Sequence, residues 1–217
     1  MEHTLRSATQ TGIKLKWRAT TSGEVDVRYG KDSNNLNFII RESQVYNHEV
    51  QLENFEANTR YFYQVYGLGI EPFGSYFYMI PLQVSKLKLR FIALGDCGTS
   101  TLVQKEVLAS VSYYVSYQKL DGLLLLGDNA YNSGYDHEYF PRFFPIYQKE
   151  VLDHVVLWSY PGNHDYAGLT WPNSSGEQPD YSNMFSLPNQ GESSEVASNS
   201  QAFYVYDIGN VHFIALN

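Results

Sequence analysis

The sequence is poor in cysteine and in basic residues, and it has no long apolar run. Cys97 is the only cysteine among 217 residues, so no disulfide forms within the chain and packing must hold the fold together. No stretch reaches the roughly 18 apolar residues that a membrane-spanning helix requires, so we expect no membrane span. Lys and Arg number 15 against 23 Asp and Glu, a formal net charge of −8. That charge argues against a protein that binds a nucleic-acid backbone through a basic stripe.

The composition is that of a folded protein. Hydrophobic residues make up 43% of the chain and charged residues 18%, which excludes a disordered polyelectrolyte. The length allows one large domain or two small ones. The 19 Tyr and 12 Phe residues favour strand-rich structure. The first residues contain no apolar stretch, so we expect no signal peptide.

Residues 1–84 have the pattern of short strands. Apolar and polar residues alternate at 14–18, 25–29 and 61–66, and clusters of turn-forming residues separate these runs. Strands at regular spacing, with no helical period between them, predict a small all-β sandwich. We therefore expect a first domain over residues 1–84.

Residues 85–217 have a different pattern, in which apolar runs alternate with helical stretches. Such alternation is typical of an α/β domain with helices packed on a sheet. We predict strands at residues 89–94, 123–126, 155–158 and 211–216. Residues 168–201 are rich in Gly, Ser, Asn and Pro, include a glycosylation-type triplet at Asn173, and predict a long loop.

Two helices are expected between these strands. The first would be capped by Thr99 or Ser100. It would carry its apolar residues on one face: Leu102, Val103, Val107, Leu108 and Val111. The second would run over residues 137–152, with interruptions at Pro141 and Pro145.

Three of the predicted strands end in a polar motif. The motifs are Gly-Asp-Cys-Gly at 95–98, Gly-Asp-Asn-Ala-Tyr at 127–131 and Gly-Asn-His-Asp at 162–165. Each motif alone is typical of an ordinary turn, but three in order after strands favour a site, because α/β sheets bind ligands at the carboxyl ends of their strands. The candidate site residues are Asp96, Asp128, Tyr131, Asn163 and His164.

These candidates are mostly oxygen donors. Two carboxylates, an amide and a phenol suit a hard cation, and an imidazole widens the choice to Zn, Fe or Mn. The phenol of Tyr131 is the informative donor, because a free tyrosine ionises only near pH ~10. Binding as phenolate at neutral or acid pH needs a strongly polarising ion, and Fe(III) meets that need best.

With these motifs, residues 88–217 resemble the metal-dependent phosphoesterases of the calcineurin-like superfamily, and among them the purple acid phosphatases. Most of the superfamily has Asp-x-His at the first motif, whereas this chain has Gly98 in place of the His and Tyr131 at the end of the second motif. That paired exchange marks the purple acid phosphatase branch. Residues 52–65 resemble the tyrosine-corner segment of fibronectin type III-like domains, which larger members of this branch carry. Tyr61 would then bond to nearby backbone, and Trp17 would be buried.

The resemblance implies a fold and a set of roles. The fold is a fibronectin type III-like β-sandwich over 1–84, followed at 85–217 by the N-terminal part of a metallophosphoesterase domain that is a four-layer α/β/β/α structure when complete. Asp96 and Tyr131 would bind Fe(III), Asp128 would bridge two metals, and Asn163 would bind a divalent Zn, Mn or Fe ion. His164 would contact the phosphoryl oxygens or protonate the leaving alkoxide. The implied activity is that of an acid phosphatase, in which a metal-activated hydroxide attacks the phosphorus of a small phosphomonoester.

The family's site also uses three histidines, from a Val-x-x-His and a Gly-His-x-His motif that follow the strand at 211–216. No histidine of this sequence has that context. We therefore expect the chain to be the N-terminal part of a longer protein, and to bind metal and hydrolyse substrate weakly as it stands. The family is usually exported, but that compartment is only an implication of the resemblance.

Two other functions stay open on the sequence. One is a binding or adhesion module whose phosphatase-like domain has lost its chemistry, and the other is a hydrolase of phosphodiesters or nucleotides at the same site. Of the neighbouring residues, we expect Cys97 to be a packed small residue. We expect Glu138 to belong to a solvated helix start, with a position behind the site as the alternative. Tyr166 and Trp171 would line the substrate entrance or pack within their loop.

Overall fold

The first part of the chain consists of strands. The computed structural model describes residues 2–44, 46–67, 69, 71–82, 88–166 and 179–216. Seven strands lie before residue 80 in this part: β1 (Glu2–Arg6), β2 (Gly12–Arg18), β3 (Gly23–Gly30), β4 (Phe38–Gln44), β5 (Asn47–Glu53), β6 (Arg60–Gly67) and β7 (Phe73–Tyr78). The three alternating runs predicted as strands lie in β2, β3 and β6.

The strands of the first part belong to two sheets that share one core. Strands β4, β3, β6 and β7 form an antiparallel sheet in that order, while β5, β2 and β1 form an antiparallel group in the other sheet. Trp17 of β2 is buried, as predicted, and meets Phe73 of β7 edge to face at 6.5 Å between ring centroids. Tyr61 accepts a hydrogen bond at its hydroxyl from the backbone N–H of Glu56 at 3.0 Å, which confirms the predicted backbone contact. The fibronectin type III assignment itself stays a prediction.

The second part alternates strands and helices. Its elements are β8 (Phe91–Leu94), α1 (Leu102–Tyr117), β9 (Gly122–Leu126), α2 (Asp136–Arg142), α3 (Phe144–Tyr147), a π-helical turn (Gln148–Leu152), β10 (Val156–Tyr160), a 3-10 turn (Asn163–Tyr166), α4 (Pro179–Met184), β11 (Tyr204–Ile208) and β12 (Val211–Ala215). Strands β8, β9 and β10 are parallel neighbours, and β11 pairs with β12 in a separate two-stranded sheet. No helix in the described ranges is long and apolar enough to cross a membrane.

One sheet crosses the predicted domain boundary. Its six strands lie in the order β5-β2-β1-β10-β9-β8, and β1 runs parallel to β10 with Leu5 opposite Val156. Three of the strands before residue 84, β1, β2 and β5, therefore extend the parallel sheet of the second part. The boundary at residue 84 and the four-layer arrangement of a complete domain stay predictions.

Helix α1 is present, but its predicted cap is wrong and its predicted apolar face is only partly buried: Val111 is buried and Leu108 packs against the core. The capping residue is Thr101, whose side chain accepts a hydrogen bond from the backbone N–H of Gln104 at 3.3 Å. Leu102 is 76% exposed, and Val103 and Val107 are also exposed. The buried face also contains Gln104, because its side-chain amide donates to the backbone carbonyl of Arg142 at 2.8 Å. A buried carbonyl needs a donor, so a polar residue takes the inward position.

The second helical stretch is interrupted as predicted. Helix α2 contains Pro141 and ends at Arg142, and α3 restarts with Pro145 in its first turn. The predicted loop over 168–201 is partly wrong, because α4 lies within it. The glycosylation-type triplet at Asn173 and Trp171 lie outside the described residues.

Candidate functional site

Three loops at the carboxyl ends of β8, β9 and β10 meet at one edge of the sheet. The backbone N–H of Asp96, after β8, donates to the carbonyl oxygen of Gly127, after β9, at 3.1 Å. The backbone N–H of His164, after β10, donates to Oδ1 of Asp128 at 2.9 Å. Parallel pairing thus brings together the three motifs that are far apart in the sequence.

Tyr131 links the two carboxylates of the cluster. Its hydroxyl contacts Oδ1 of Asp96 in a short hydrogen bond and lies 3.1 Å from Oδ2 of Asp128. Burial, the hydrogen bonds to both carboxylates and their negative charges raise the pKa of the Tyr131 phenol well above its ordinary value. One phenol oxygen and two carboxylates from different loops therefore converge on one point.

His164 has one ring nitrogen fixed by the backbone. Nδ1 lies 2.5 Å from the carbonyl oxygen of Asn132, and because a carbonyl only accepts, Nδ1 must carry the hydrogen. In the neutral ring Nε2 is then an acceptor. The ring centroid lies 4.5 Å from that of Tyr131. Asn163 precedes His164 in the same 3-10 turn, with an exposed side chain.

The glycines of the motifs permit this close approach. A Cβ atom at Gly98 would lie 2.1 Å from the carbonyl oxygen of Asn129, so no larger residue fits there without displacing backbone. A Cβ at Gly162 would lie 2.3 Å from Oδ1 of Asp128. A histidine side chain at position 98 is therefore incompatible with the way these loops pack.

Asp165 supports the loops of the candidate site, and the sequence interpretation left it without a role. Its carboxylate is fully buried and accepts hydrogen bonds from the backbone N–H of Gly162 at 2.8 Å, the backbone N–H of Asn129 at 3.1 Å and the hydroxyl of Tyr139 at 2.6 Å. Burial raises its pKa to about 6, while these hydrogen bonds oppose the shift. Asp165 thus fastens the third loop to the second. The one available signal was an acidic residue that directly follows His164 in the motif.

Glu138 holds the loop that follows Tyr131, so its interpretation as part of a solvated helix start is wrong. Burial alone would raise its pKa, but hydrogen bonds from backbone N–H groups lower it overall. The donors are Asn132 at 2.6 Å, Ser133 at 3.0 Å and Tyr135 at 3.1 Å. This carboxylate lies behind the candidate site and fixes the loop position.

Cys97 packs in the interior, as expected. It is buried, and burial raises the pKa of its thiol to about 12. Its backbone carbonyl accepts hydrogen bonds from the side chains of Gln104 and Tyr147. A thiol that stays protonated is a poor metal ligand, so the candidate donors remain oxygen atoms and the imidazole.

The donor types of the cluster are those of a hard-cation site. The two carboxylates and the phenol of Asp96, Asp128 and Tyr131 are the ligand type that such ions prefer. Within the described ranges, no group of three or more His, Cys, Asp and Glu side chains is close enough to hold an ion. For a second ion the candidates are Asp128 and Asn163.

The fold is similar to that of known phosphatases. Neither a protein-family model nor a curated protein sequence matches the chain. Among solved structures, purple acid phosphatase PPD1 from yellow lupin (Lupinus luteus) seeds aligns with 98% of this chain at a TM-score of 0.70 and 15% identity, and the alignment covers 43% of that protein. PhoD aligns with 98% of this chain at a TM-score of 0.66 and 13% identity, over 50% of its own length. The chain thus has a phosphatase-like fold and spans about half the length of these two proteins.

Proposed function

We propose that the protein is a metal-dependent phosphomonoester hydrolase of the acid phosphatase type. The observation that carries the proposal is the convergence of Asp96, Asp128 and Tyr131 from two loops onto one point. The similarity in fold to a purple acid phosphatase and to PhoD supports it. Because the chain spans only about half of each neighbour, the activity is proposed for the protein to which this chain belongs.

The candidate ligands divide between two ions. Asp96 and Tyr131 would hold Fe(III), Asp128 would contact both ions, and Asn163 would hold a divalent Zn, Mn or Fe ion. When bound, such ions neutralise phosphate charge and lower the pKa of a coordinated water. Buried Asp165 and the loop anchor Glu138 would keep these side chains in place.

His164 would hydrogen-bond the phosphoryl group or protonate the leaving alkoxide. Because the Asn132 carbonyl fixes Nδ1–H, Nε2 is the nitrogen left to face a substrate. In the protonated ring, Nε2 would donate a hydrogen bond to a phosphoryl oxygen or its proton to the leaving alkoxide.

The substrate class is a small phosphate ester. A net charge of −8 repels a phosphate dianion unless cations are bound at the site. The charge balance therefore supports a metal requirement, and it gives no support to a nucleic-acid scaffold as a partner.

A non-catalytic binding module is the second candidate. It is favoured by the absence, within the described part of the chain, of a cluster of three or more His, Cys, Asp and Glu side chains. In that case the loops would retain the fold of a phosphatase without retaining two ions.

The test combines spectroscopy and turnover. The chain is loaded with Fe(III) and Zn(II), its bound metal is measured, and hydrolysis of p-nitrophenyl phosphate is followed near pH ~5. We expect a visible phenolate-to-iron band that Tyr131→Phe removes and that Tyr135→Phe, an exposed tyrosine four residues away, retains. We expect slow turnover that Asp128→Asn abolishes.

Each alternative has its own outcome. A band that persists in Tyr131→Phe would refute the ligand assignment. If the protein to which this chain belongs also retained no metal and hydrolysed nothing, the binding module would be supported. Faster hydrolysis of bis-p-nitrophenyl phosphate than of the monoester would move the substrate class to phosphodiesters.

A further inference from the structure

A cavity lined by cationic side chains lies away from the three loops of the candidate site. It is bounded by strands β1 and β2 and by residues of α2, α3 and α4, and its volume is about 310 Å³ including the solvent at its open mouth. Its polar side chains include those of Arg6, Lys16, Arg18, Asn47 and Asn183, and none of the described lining residues is acidic. The space inside it that a water-sized group can reach is about 30 Å³, far below the roughly 300–1,000 Å³ of ordinary ligand pockets, so only a small ion could enter.

Arg6 is the central residue of this cavity. It is only 1% exposed, and its Nε and Nη1 atoms have no hydrogen-bond partner in the described part of the protein. Its guanidinium lies over the rings of Phe185 at 4.8 Å and Phe144 at 5.7 Å. Aromatic faces attract the charge, but they leave those two N–H donors unsatisfied. Buried donors are rarely left in that state, because each costs about 1–3 kcal/mol.

The two other cations of the cavity are already partly paired. Lys16 donates to Oγ of Ser186 at 2.7 Å and lies 3.5 Å from a carboxylate oxygen of Glu49. Arg18 forms an ion pair with Asp136 at 2.8 Å. These pairs leave the positive charge at Arg6 as the uncompensated one.

Desolvation makes this excess charge unfavourable. Burial lowers the pKa of Arg6, although Glu49 attracts its charge, and burial lowers the pKa of Lys16 to about 8. In a protein with eight more acidic than basic side chains, a buried and unpaired cation needs a specific reason. An anion in the cavity would supply one of the missing acceptors and the missing charge.

We propose that the cavity formed by Arg6, Lys16 and Arg18 binds a small oxyanion, a carboxylate or a phosphate. Nε and Nη1 of Arg6 point to different edges of the guanidinium, so one such group would accept a charge-assisted hydrogen bond from one of these two nitrogens at a time. Arg6 lies opposite Lys14 of β2. Lys16 and Arg18 occupy the following alternate positions of β2, so they lie on the same face of the sheet and add their charge at the rim of the cavity. This site is independent of the proposed phosphatase chemistry.

The test measures stabilisation of the whole chain by anions. Thermal unfolding is followed in sodium chloride of constant ionic strength, with either inorganic phosphate or acetate replacing part of the chloride. A ligand that binds only the folded state raises the midpoint temperature of unfolding by mass action. When its free concentration is about 100 times its dissociation constant, the ratio of folded to unfolded protein rises about 100-fold. We expect at least one of the two oxyanions to raise the midpoint, and the pair to distinguish phosphate from carboxylate.

Variants locate the effect. Arg6→Met keeps much of the packing but removes the guanidinium, and we expect binding about 10- to 100-fold weaker. Arg41→Met removes the same charge from a side chain that is 82% exposed and should leave binding unchanged. Lys16→Gln, at the rim, provides a second test if Arg6→Met does not fold. Asp128→Asn excludes phosphate bound at the other site and should leave the response intact.

Two results would overturn the proposal. One is a midpoint that neither oxyanion raises above the chloride control. The other is a rise that both Arg6→Met and Lys16→Gln retain in full, or that Asp128→Asn abolishes.

Discussion

Replacing Gly98 with alanine tests the packing of the site loops most directly. The added Cβ would lie 2.1 Å from the carbonyl oxygen, 2.6 Å from the carbonyl carbon of Asn129 and 2.7 Å from Cα of Ala130. All three are backbone atoms, so the clash is relieved only if a loop moves by about 1 Å, since van der Waals contact lies beyond 3 Å. The loops resist this movement because Tyr131 donates its backbone N–H to the Gly98 carbonyl at 3.1 Å.

The expected loss of stability follows from these contacts. Overpacking costs about 1–3 kcal/mol, and loss of the Tyr131 backbone hydrogen bond adds about 1 kcal/mol. We therefore expect Gly98→Ala to lower the free energy of unfolding by about 2–4 kcal/mol. For a chain of this size that corresponds to a fall in melting temperature of about 4–16 °C.

Gly95→Ala is the matched control from the same motif. Its Cβ would meet no described atom closer than Cβ of Leu126 at 3.8 Å, an ordinary contact. We expect a change within about 1 kcal/mol. Circular dichroism of thermal and urea unfolding compares the two variants. Equal stability of Gly98→Ala and Gly95→Ala would show that the loops are not packed as described.

Two further predictions concern a buried histidine and helix α1. Burial lowers the pKa of His48 below the ordinary value of about 6.5 that it has in the unfolded chain, so stability is fully present above that pH and falls as the pH drops below it. His48→Phe should flatten this slope in urea titrations, leaving the part due to His154, whose pKa burial also lowers; an unchanged slope would contradict the assignment. On α1, Val111 is 7% exposed and Val107 is 41% exposed. Val111→Ala should cost about 2 kcal/mol and Val107→Ala no more than about 0.5 kcal/mol, and equal losses would contradict the observed orientation of the helix.

Local sequence patterns were sufficient to predict many of the strands and helices. Alternation located the strands β2, β3 and β6, and the Gly-Asp motifs marked the ends of β8 and β9 because Gly and Asp after an apolar run favour a turn. The cluster of Asp96, Asp128, Tyr131 and His164 followed from one rule, that parallel strands present their carboxyl ends on the same edge.

The sequence interpretation failed where the deciding partner is a distant backbone group. Gln104 takes a buried position on α1 because it satisfies the carbonyl of Arg142, and apolar periodicity contains no information about that carbonyl. Asp165 was left without a role and Glu138 was assigned to a solvated helix start, because most of their donors are backbone N–H groups of loops, which side-chain patterns do not reveal. The pairing of β1 with β10 depends on tertiary contact alone.

The pairing of β1 with β10 also bears on how the chain reaches its folded state. Until β1 is in place, β10 has an unpaired edge at Val156 and Leu157, two buried apolar residues. An open apolar edge is a template for intermolecular strand pairing. Because Leu5 and Val156 are far apart in the chain, this contact closes slowly. Removal of the first strands would leave that edge open permanently, so the second part of the chain cut away from them should aggregate.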